Sequence, residues 1–240
     1  MKDALVADSI PEDLLGEESR ISETAVLKMN ILLPFVRWFE RRLYTRFAFT
    51  YDVVAWLVST GQWTQWQVVG IERLPPGRIL EIGHGPGHVL LRLSRDRRFV
   101  VGLDASRQMG RRAARRLARA GLSPRLLRGQ AQQLPFPASF FDGVISTFPS
   151  AYIVDPQTMA EAARVLRPGG AFIIVPGASV KGRSIPDRLA AWVNRVTGES
   201  KDLPEGWIRP FENNGFSASL ERVRLARAEV LCITARIRGG

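Results

Sequence analysis

Three glycines separated by single residues are the most informative chemical feature of this chain. Gly83, Gly85 and Gly87 lie in the stretch ILEIGHGPGH at residues 79–88, after β-prone residues and before a helical pattern. Glycine suits such a turn because it adopts positive φ and leaves room for a ligand against the backbone. The arrangement is typical of nucleotide-like ligands held at a helix start. The spacing differs from the G-x-G-x-x-G of dinucleotide-binding proteins, and an acid, Glu81, precedes the first glycine.

A second acid follows the next predicted strand, in a position to reach the same ligand. Asp104 comes after the apolar run at residues 99–103. Because ligands of open parallel sheets bind beyond the carboxyl ends of the strands, we expect Asp104 beside the glycine turn. Its carboxylate could accept hydrogen bonds from both hydroxyls of a ribose. Further along, residues 129–136 (GQAQQLPF) offer an amide for an adenine edge and an apolar wall for its face.

These residues need a framework of alternating strands and helices. Strands are predicted at residues 78–82, 99–103, 125–128, 141–146 and 171–175, and helices at 87–95, 107–120 and 156–166. The short connections imply a parallel sheet with helices on both faces. Residues 216–224 and 228–236 alternate in polarity and are joined by a short turn, which is typical of an antiparallel pair. Residues 147–150 follow the fourth strand, and we expect them to lie over the reactive part of the bound ligand.

Composition divides the chain into three parts. Residues 1–22 are acidic and are predicted to form a mobile tail, whereas residues 23–74 are helical in pattern and hold four of the six tryptophans. Residues 75–240 carry the strand–helix units. The N-terminus lacks an apolar segment, and no run of about 18 uncharged apolar residues occurs, so we expect neither a signal peptide nor a transmembrane helix. The single cysteine, Cys232, excludes an internal disulfide.

The net charge of +11 is unevenly distributed. Residues 1–23 contain seven acids and two basic residues, so the remainder is strongly basic, and arginine supplies nearly all of that charge. Such a balance suits an anionic membrane surface, a nucleic acid or an acidic substrate, but a solvated basic surface would look the same. One predicted helix illustrates both alternatives, because it carries Arg107, Arg111, Arg112, Arg115, Arg116 and Arg119.

Four ordered stretches resemble the class I S-adenosylmethionine-dependent methyltransferases. They are LEIGHGPG (80–87), VVGLDAS (100–106), RGQAQQLPFPASFFDGVIS (128–146) and EAARVLRPGGAFIIV (161–175). The resemblance implies an α/β fold: a Rossmann-like, seven-stranded, mostly parallel sheet with helices on both faces, an antiparallel last strand and a helical N-terminal extension. It also implies S-adenosylmethionine as cofactor, S-adenosylhomocysteine as product, and no metal.

The same resemblance implies which residues contact the cofactor. They are Glu81, Gly83, His84, Gly85, Gly87, Asp104, Ala105, Gln130, Ala131 and Thr147. The glycine turn would hold the methionine end, Asp104 the ribose, and Gln130 with Ala131 the adenine. Family members usually carry Asp where Gln130 stands. Since a glutamine can still accept a hydrogen bond from the adenine amino group, we expect binding to persist with altered affinity.

A sulfonium methyl group is already activated, so catalysis depends on orientation and on exclusion of water. A general base is needed only when the acceptor is a weakly acidic carbon or hydroxyl. His84, Tyr51 and Tyr152 are the candidate bases, Asp52 beside Tyr51 is a further one, and each of them could instead be structural. His84 and His88 are the two histidines of the chain, which are too few for a zinc site, and both could simply shape the methionine pocket.

The segment at residues 46–66 resembles the part that precedes the core in ubiquinone/menaquinone C-methyltransferases and related lipid methyltransferases. Tyr51-Asp52 and the Ser-x-Gly-x-x-x-x-Trp pattern that ends at Trp66 carry the match. The resemblance implies that residues 23–74 form a lid over the cofactor and part of the acceptor pocket. It also implies a small, hydrophobic or lipid-like acceptor, a cytoplasmic location and peripheral contact with an anionic membrane through Arg- and Trp-rich segments such as residues 37–42. A buried aromatic helix is the competing interpretation of that composition.

Two other functions stay open on the sequence alone. The positive charge would suit an RNA methyltransferase, although residues 148–151 (FPSA) stand where Asn/Asp-Pro-Pro-Tyr marks methylation of exocyclic base amines. A non-catalytic cofactor-binding protein could share the same fold. Neither the oligomeric state nor the acceptor atom follows from the sequence.

Overall fold

The computed structural model describes residues 62–180 and 208–238. The helices in these ranges are α1 (Trp63–Ile71), α2 (His88–Arg95), α3 (Arg107–Arg119), α4 (Pro156–Val165) and α5 (Arg209–Glu212), with a 3₁₀ turn at Ala151–Val154. The strands are β1 (Arg78–Ile82), β2 (Phe99–Asp104), β3 (Leu126–Arg128), β4 (Phe141–Thr147), β5 (Leu166–Val180), β6 (Phe216–Arg224) and β7 (Ala228–Ile237). The acidic tail, Tyr51 and most of the aromatic-rich segment lie outside the described residues.

The seven strands form one sheet in the order β3-β2-β1-β4-β5-β7-β6. Strands β1 to β5 are parallel to one another, whereas β7 runs antiparallel to both β5 and β6. The predicted fold class is therefore confirmed. The strand order reverses between β1 and β4, which places a ligand crevice beyond Ile82 and Thr147.

Alternate residues of the central strands supply two hydrophobic cores, one on each face of the sheet. On one face Ile79 and Ile145 lie beneath α1, α2 and α3. On the other face Leu80 and Val144 lie beneath α4 and α5. Because both faces are covered, β1 and β4 are almost fully buried, as is usual for parallel strands.

Helix α1 belongs to the segment that the sequence predicts as a lid, and it packs directly on the sheet. Its Trp66 and Val69 are buried in the first core. A Cβ on Gly70 would lie 2.8 Å from a methyl carbon of Val175, so the helix backbone approaches β5 closely. The described end of the predicted lid is thus part of the domain core. None of the helices in the described ranges is long and apolar enough to span a membrane.

Local sequence signals explain where the helices on either side of the crevice begin. The Ser106 hydroxyl accepts a hydrogen bond from the Met109 N–H and caps α3, while Asp155 accepts from the Gln157 N–H and caps α4. Pro156 follows at the first position of α4, where its missing N–H has no consequence. Helix α2 begins after Gly87, which has a left-handed conformation.

Strand β5 is much longer than its predicted range of residues 171–175. Leu166 pairs with Phe141 at its start, and residues 177–180 continue along β7 after a register shift. Both additions depend on neighbouring strands rather than on a local pattern, so the sequence does not reveal them. The 3₁₀ turn and α5 were also not predicted, because four residues are too short to show a periodicity.

Candidate cofactor and active site

The glycine turn has the conformation that its sequence predicts. Gly83, Gly85 and Gly87 have φ values of 69°, 51° and 81°. The N–H groups of Gly83 and His84 both donate to the carbonyl of Leu103, at 2.8 and 3.4 Å. These bonds hold the turn against the end of β2, the strand that carries Asp104.

Asp104 joins the glycine turn to the start of α3. One carboxylate oxygen accepts from the Gly85 N–H and the other from the Ser106 N–H, each at 2.8 Å. A carboxylate oxygen has two lone pairs, so both oxygens keep acceptor capacity for a ligand hydroxyl. Its neighbour Ala105 is exposed, and its carbonyl accepts from the Arg128 side chain at 3.2 Å.

Glu81 is a buried carboxylate with an unused oxygen. Its residue is only 1% exposed, and Oε2 has no hydrogen-bond partner among the described residues. Burial raises the pKa of Glu81 well above its ordinary value, the charge of Asp104 adds to this, and a hydrogen bond from the Leu90 backbone opposes it. A cationic ligand beside the turn would oppose both of these shifts and favour the ionised forms of the two carboxyl groups.

His84 folds back beneath the turn. It is 4% exposed, its Nδ1 lies 2.7 Å from the carbonyl of Gly85, and its Nε2 is buried without a partner among the described residues. A Cβ on Gly102 would lie 2.9 Å from the imidazole Cδ2, so the ring packs on β2. Burial lowers the pKa of His84, although Asp104 opposes this shift. The neutral ring is in a position to support the turn from below.

Tyr152 lies at the reversal point of the sheet. Its hydroxyl is 3.1 Å from Ser146 Oγ and 3.4 Å from the carbonyl of Ile82, which also accepts from Ser146 Oγ at 2.8 Å. A Cβ on Gly83 would collide with the Tyr152 hydroxyl, so the tyrosine lies directly over the first glycine. Of the candidate bases, the structure therefore brings His84 and Tyr152 to the turn, and Tyr51 and Asp52 lie outside the described residues.

Aromatic side chains stand at the end of β4. Thr147 is buried, and its hydroxyl accepts from Gln67 of α1 at 3.3 Å. Phe148 follows with φ of 51°, a strained value for a bulky residue, and its ring stacks on Trp63 at 3.9 Å between centroids. Strain of this kind often accompanies ligand sites. The sequence places Phe148 at this edge, but the contacts from Trp63 and Gln67 are formed across the fold and show no local pattern.

The loop after β3 contains the residues that the sequence predicts as an apolar wall for the adenine. Gln130 is exposed, whereas Ala131 is buried in the second core together with Leu134. Glu161 and Arg164 of α4 hydrogen-bond to the backbone of this loop. Sequence reasoning missed both residues as contributors to the site. Within residues 62–180 and 208–238, no group of three His, Cys, Asp or Glu residues is arranged to hold a metal ion.

Comparisons with known proteins agree with this geometry. A family model for a methyltransferase domain matches residues 79–170. The chain is 32% identical over 157 residues to a demethylmenaquinone methyltransferase from Symbiobacterium thermophilum. This match covers 61% of this chain and 62% of that protein. It is also 38% identical over 102 residues to a phosphatidylethanolamine N-methyltransferase from Cereibacter sphaeroides. That match covers 41% of this chain and 50% of the relative.

Among solved structures, a SAM-dependent methyltransferase from Thermotoga maritima has the same fold. The TM-score is 0.57 at 20% identity, over 82% of this chain and 99% of that chain. The chain spans between half and about three fifths of the length of the two curated relatives. The family model and the relatives agree that residues 79–170 form a methyltransferase domain, and the chain has the fold of S-adenosylmethionine-dependent methyltransferases.

Proposed function

We propose that this protein transfers the methyl group of S-adenosylmethionine to a small, hydrophobic or lipid-like acceptor. The observation that carries the proposal is a buried Glu81 oxygen that has no hydrogen-bond partner among the described residues, next to Asp104 and a glycine turn with three positive φ angles. S-adenosylmethionine has an ammonium group, a sulfonium and a ribose, so it supplies both positive charge and two hydroxyl donors. Two carboxylates match that pattern better than they match a phosphate-bearing ligand.

Each part of the cofactor has a matching group in the chain. Asp104 would accept from the ribose hydroxyls, because its oxygens keep free lone pairs. The Glu81 oxygen that has no partner among the described residues would face the cationic methionine end, and a bound cation would favour the ionised form of this carboxyl. Ala131 and Leu134 are buried in the second core and anchor the loop that would stand against the adenine face, and the exposed Gln130 would lie at the adenine edge.

The bound cofactor supplies an activated methyl group, so the chain has to orient the acceptor and exclude water. Trp63 and Phe148 form an apolar wall at the end of β4, on the acceptor side of the proposed site. Tyr152 is the titratable side chain that the structure places over the turn, at hydrogen-bond distance from Ser146. Its hydroxyl would orient a polar group of the acceptor and could remove a proton where the acceptor requires a base.

The relatives support an apolar acceptor. The name of one relative gives demethylmenaquinone as its acceptor, and the name of the other gives phosphatidylethanolamine. Both molecules are hydrophobic. The Trp63–Phe148 pair is suited to such a ligand because stacked aromatic rings offer a large apolar surface. We therefore propose a quinone-like or lipid-like acceptor for this chain.

Calorimetry with S-adenosylmethionine tests the cofactor assignment. We expect the intact chain to bind it and Asp104→Ala to bind it at least about tenfold more weakly, because charge-assisted hydrogen bonds are lost. Asp96→Ala is the matched control, since Asp96 lies at the C-terminal end of α2 and forms an exposed ion pair with Arg92. Thermal unfolding of both variants separates lost binding from lost folding. Absence of binding by the unmodified chain would overturn the proposal.

Methyl transfer itself needs a separate assay. We expect radiolabel from S-adenosylmethionine to reach a demethylated naphthoquinone or an ethanolamine phospholipid in vesicles. If the chain bound the cofactor tightly but transferred no label to any apolar acceptor or RNA, the non-catalytic alternative would replace this proposal.

Helix α3 also suggests how a membrane-borne acceptor is approached. Its buried face contains Met109, Ala113 and Leu117, and the helix contains no acid. Four arginines at i, i+4 spacing are exposed along the opposite side: Arg107, Arg111, Arg115 and Arg119. We propose that this stripe binds the anionic cytoplasmic surface of a membrane, where each cation near the surface contributes about 1 kcal/mol.

Vesicle flotation tests the stripe. Binding to vesicles with anionic lipid is expected to fall in Arg111→Ser/Arg115→Ser and to be absent from neutral vesicles. Arg92→Ser/Arg95→Ser on α2 is the control with the same loss of charge. If the stripe variant lost salt-sensitive RNA binding instead, while vesicle binding was absent throughout, the RNA methyltransferase alternative would be favoured.

A further inference from the structure

The loop after β3 has no secondary structure of its own, and α4 holds it from one side. Residues 129–140 connect β3 to β4 without a helix. Backbone N–H and C=O groups of such a segment need other partners. Four side chains lie at the contact between the loop and α4: Gln132 from the loop, Asp155 from the α4 N-cap, and Glu161 and Arg164 from α4 itself.

Arg164 and Glu161 act on the loop backbone as one unit. Arg164 donates to the carbonyl of Phe136 at 2.8 Å and to that of Leu134 at 2.9 Å. The Leu134 N–H donates to Glu161 Oε2 at 2.7 Å, so both backbone groups of Leu134 are bound. Arg164 also donates to both carboxylate oxygens of Glu161, at 2.6 and 2.7 Å, which fixes the two side chains relative to each other.

A second contact holds the other end of the loop. Gln132 Nε2 donates to Asp155 Oδ2 at 3.0 Å, while Asp155 Oδ1 accepts from the Gln157 N–H at 2.9 Å. The loop is therefore joined to the same residue that caps α4. Ala131, which precedes Gln132, and Leu134, which the first contact binds, both enter the second core.

We infer that Glu161 and Arg164 are positioning residues that fix the adenine wall of the cofactor site. The inference rests on the proposed cofactor. The Arg164 and Glu161 side chains are 38% and 21% exposed, so their ion pair contributes little to global stability. Their hydrogen bonds instead determine where Leu134 and Phe136 stand, and those residues decide which base fits against the wall. The pair thus acts on purine selectivity rather than on the reacting atoms.

Ligand discrimination provides the first test, on the full chain. S-adenosylhomocysteine and S-inosylhomocysteine differ only at the base edge, so the ratio of their dissociation constants reports the adenine wall. We expect the unmodified chain to prefer the adenine ligand. Arg164→Met, which keeps the apolar stem and removes the donors, should weaken that ligand about tenfold and bring the ratio towards one. Arg164→Lys should restore part of the preference.

Arg167→Met is the matched control. Arg167 also donates to a backbone carbonyl of the β3–β4 connection, that of Ser139, and it pairs with Asp142 away from residues 130–136. The control should leave both affinities unchanged. Equal weakening of both ligands by Arg164→Met, or equal effects of the two variants, would overturn the inference.

Hydrogen exchange of the Leu134 amide provides a test without ligand. The exchange should be faster in Glu161→Gln and in Arg164→Met than in Arg167→Met, while the global unfolding temperature changes little. Unchanged Leu134 exchange would overturn the inference whether or not the cofactor binds. If the unmodified chain bound neither ligand, the proposed function would fail, and the exchange data would show separately whether the pair holds the loop.

Discussion

The glycine turn and the loop after β3 lie at the same edge of the sheet, yet they satisfy their polar groups in opposite ways. Beside the glycine turn, Glu81 Oε2 and His84 Nε2 are buried without partners among the described residues. In the later loop, both backbone groups of Leu134 are bound by Glu161 and Arg164. The first region leaves buried polar atoms to which a ligand or ordered water could bond, whereas the chain itself already binds both backbone groups of Leu134 in the second.

The difference has an energetic meaning. A buried polar group without a partner costs about 1–3 kcal/mol, so a fold keeps one where a ligand or ordered water completes it. An exposed, hydrogen-bonded ion pair stabilises the fold by little. Substitutions at the glycine turn should therefore change both stability and binding, whereas substitutions at the later loop should change binding alone.

The largest expected effect is that of Gly83→Ala. The residue has φ of 69°, and a Cβ there would collide with the Tyr152 hydroxyl. We expect a loss of more than about 1–2 kcal/mol in the free energy of unfolding, measured with urea, because the strain of positive φ and the collision add. Binding of S-adenosylmethionine should no longer be detectable by calorimetry.

Gly85→Ala is the matched control for that substitution. Its φ is 51°, but a Cβ there would meet nothing within 4 Å, so only the backbone strain remains. Gly83→Ala combined with Tyr152→Phe should recover part of the lost stability, because the colliding hydroxyl is removed. A double variant no more stable than Gly83→Ala would mean that the tyrosine does not limit the space over the turn.

A smaller effect concerns how the free energy of unfolding depends on pH. The sign of that dependence should differ between the two regions. Burial raises the pKa of Glu81 above its ordinary 4.5, whereas the hydrogen bond from Arg164 lowers the pKa of Glu161. As the pH rises above 4.5, Glu81 stays protonated in the folded protein to a higher pH than it does in the unfolded chain. The stability that this provides is complete below 4.5 and is lost as the pH rises through the folded pKa.

For Glu161 the sign is reversed. Its contribution is present above 4.5 and is lost as the pH falls through the lowered folded pKa. Urea unfolding across a pH series should therefore show that Glu81→Gln gains on the unmodified chain as the pH rises, by about 1–3 kcal/mol at about pH 7. Glu161→Gln should instead lose a small amount of stability relative to the unmodified chain as the pH rises towards 4.5, and the difference should not change further above that pH. If the stability of both variants relative to the unmodified chain changed in the same direction with rising pH, the distinction between the two regions would be contradicted.

The same comparison shows what the sequence can and cannot predict. The glycine turn, β1, β2 and Asp104 follow from local spacing, and each stands where it was predicted. The contacts of Glu161 and Arg164 join residues 27 to 30 positions apart. A contact of that kind leaves no periodic signal. The sequence places His84 in the turn, but only the close approach of Gly102 shows that the ring folds beneath it.

The smallest expected effect concerns Gln130, where the family resemblance implies Asp. Gln130 is exposed, so Gln130→Asp should leave the free energy of unfolding within about 0.5 kcal/mol of the unmodified chain. A carboxylate accepts more strongly than an amide from the adenine amino group, so S-adenosylhomocysteine should bind about two- to fivefold more tightly. S-inosylhomocysteine has a carbonyl in place of that amino group and should not gain. Equal gains for both ligands would mean that residue 130 acts through general charge, and the adenine edge would then have to be read elsewhere on the wall that Glu161 and Arg164 hold.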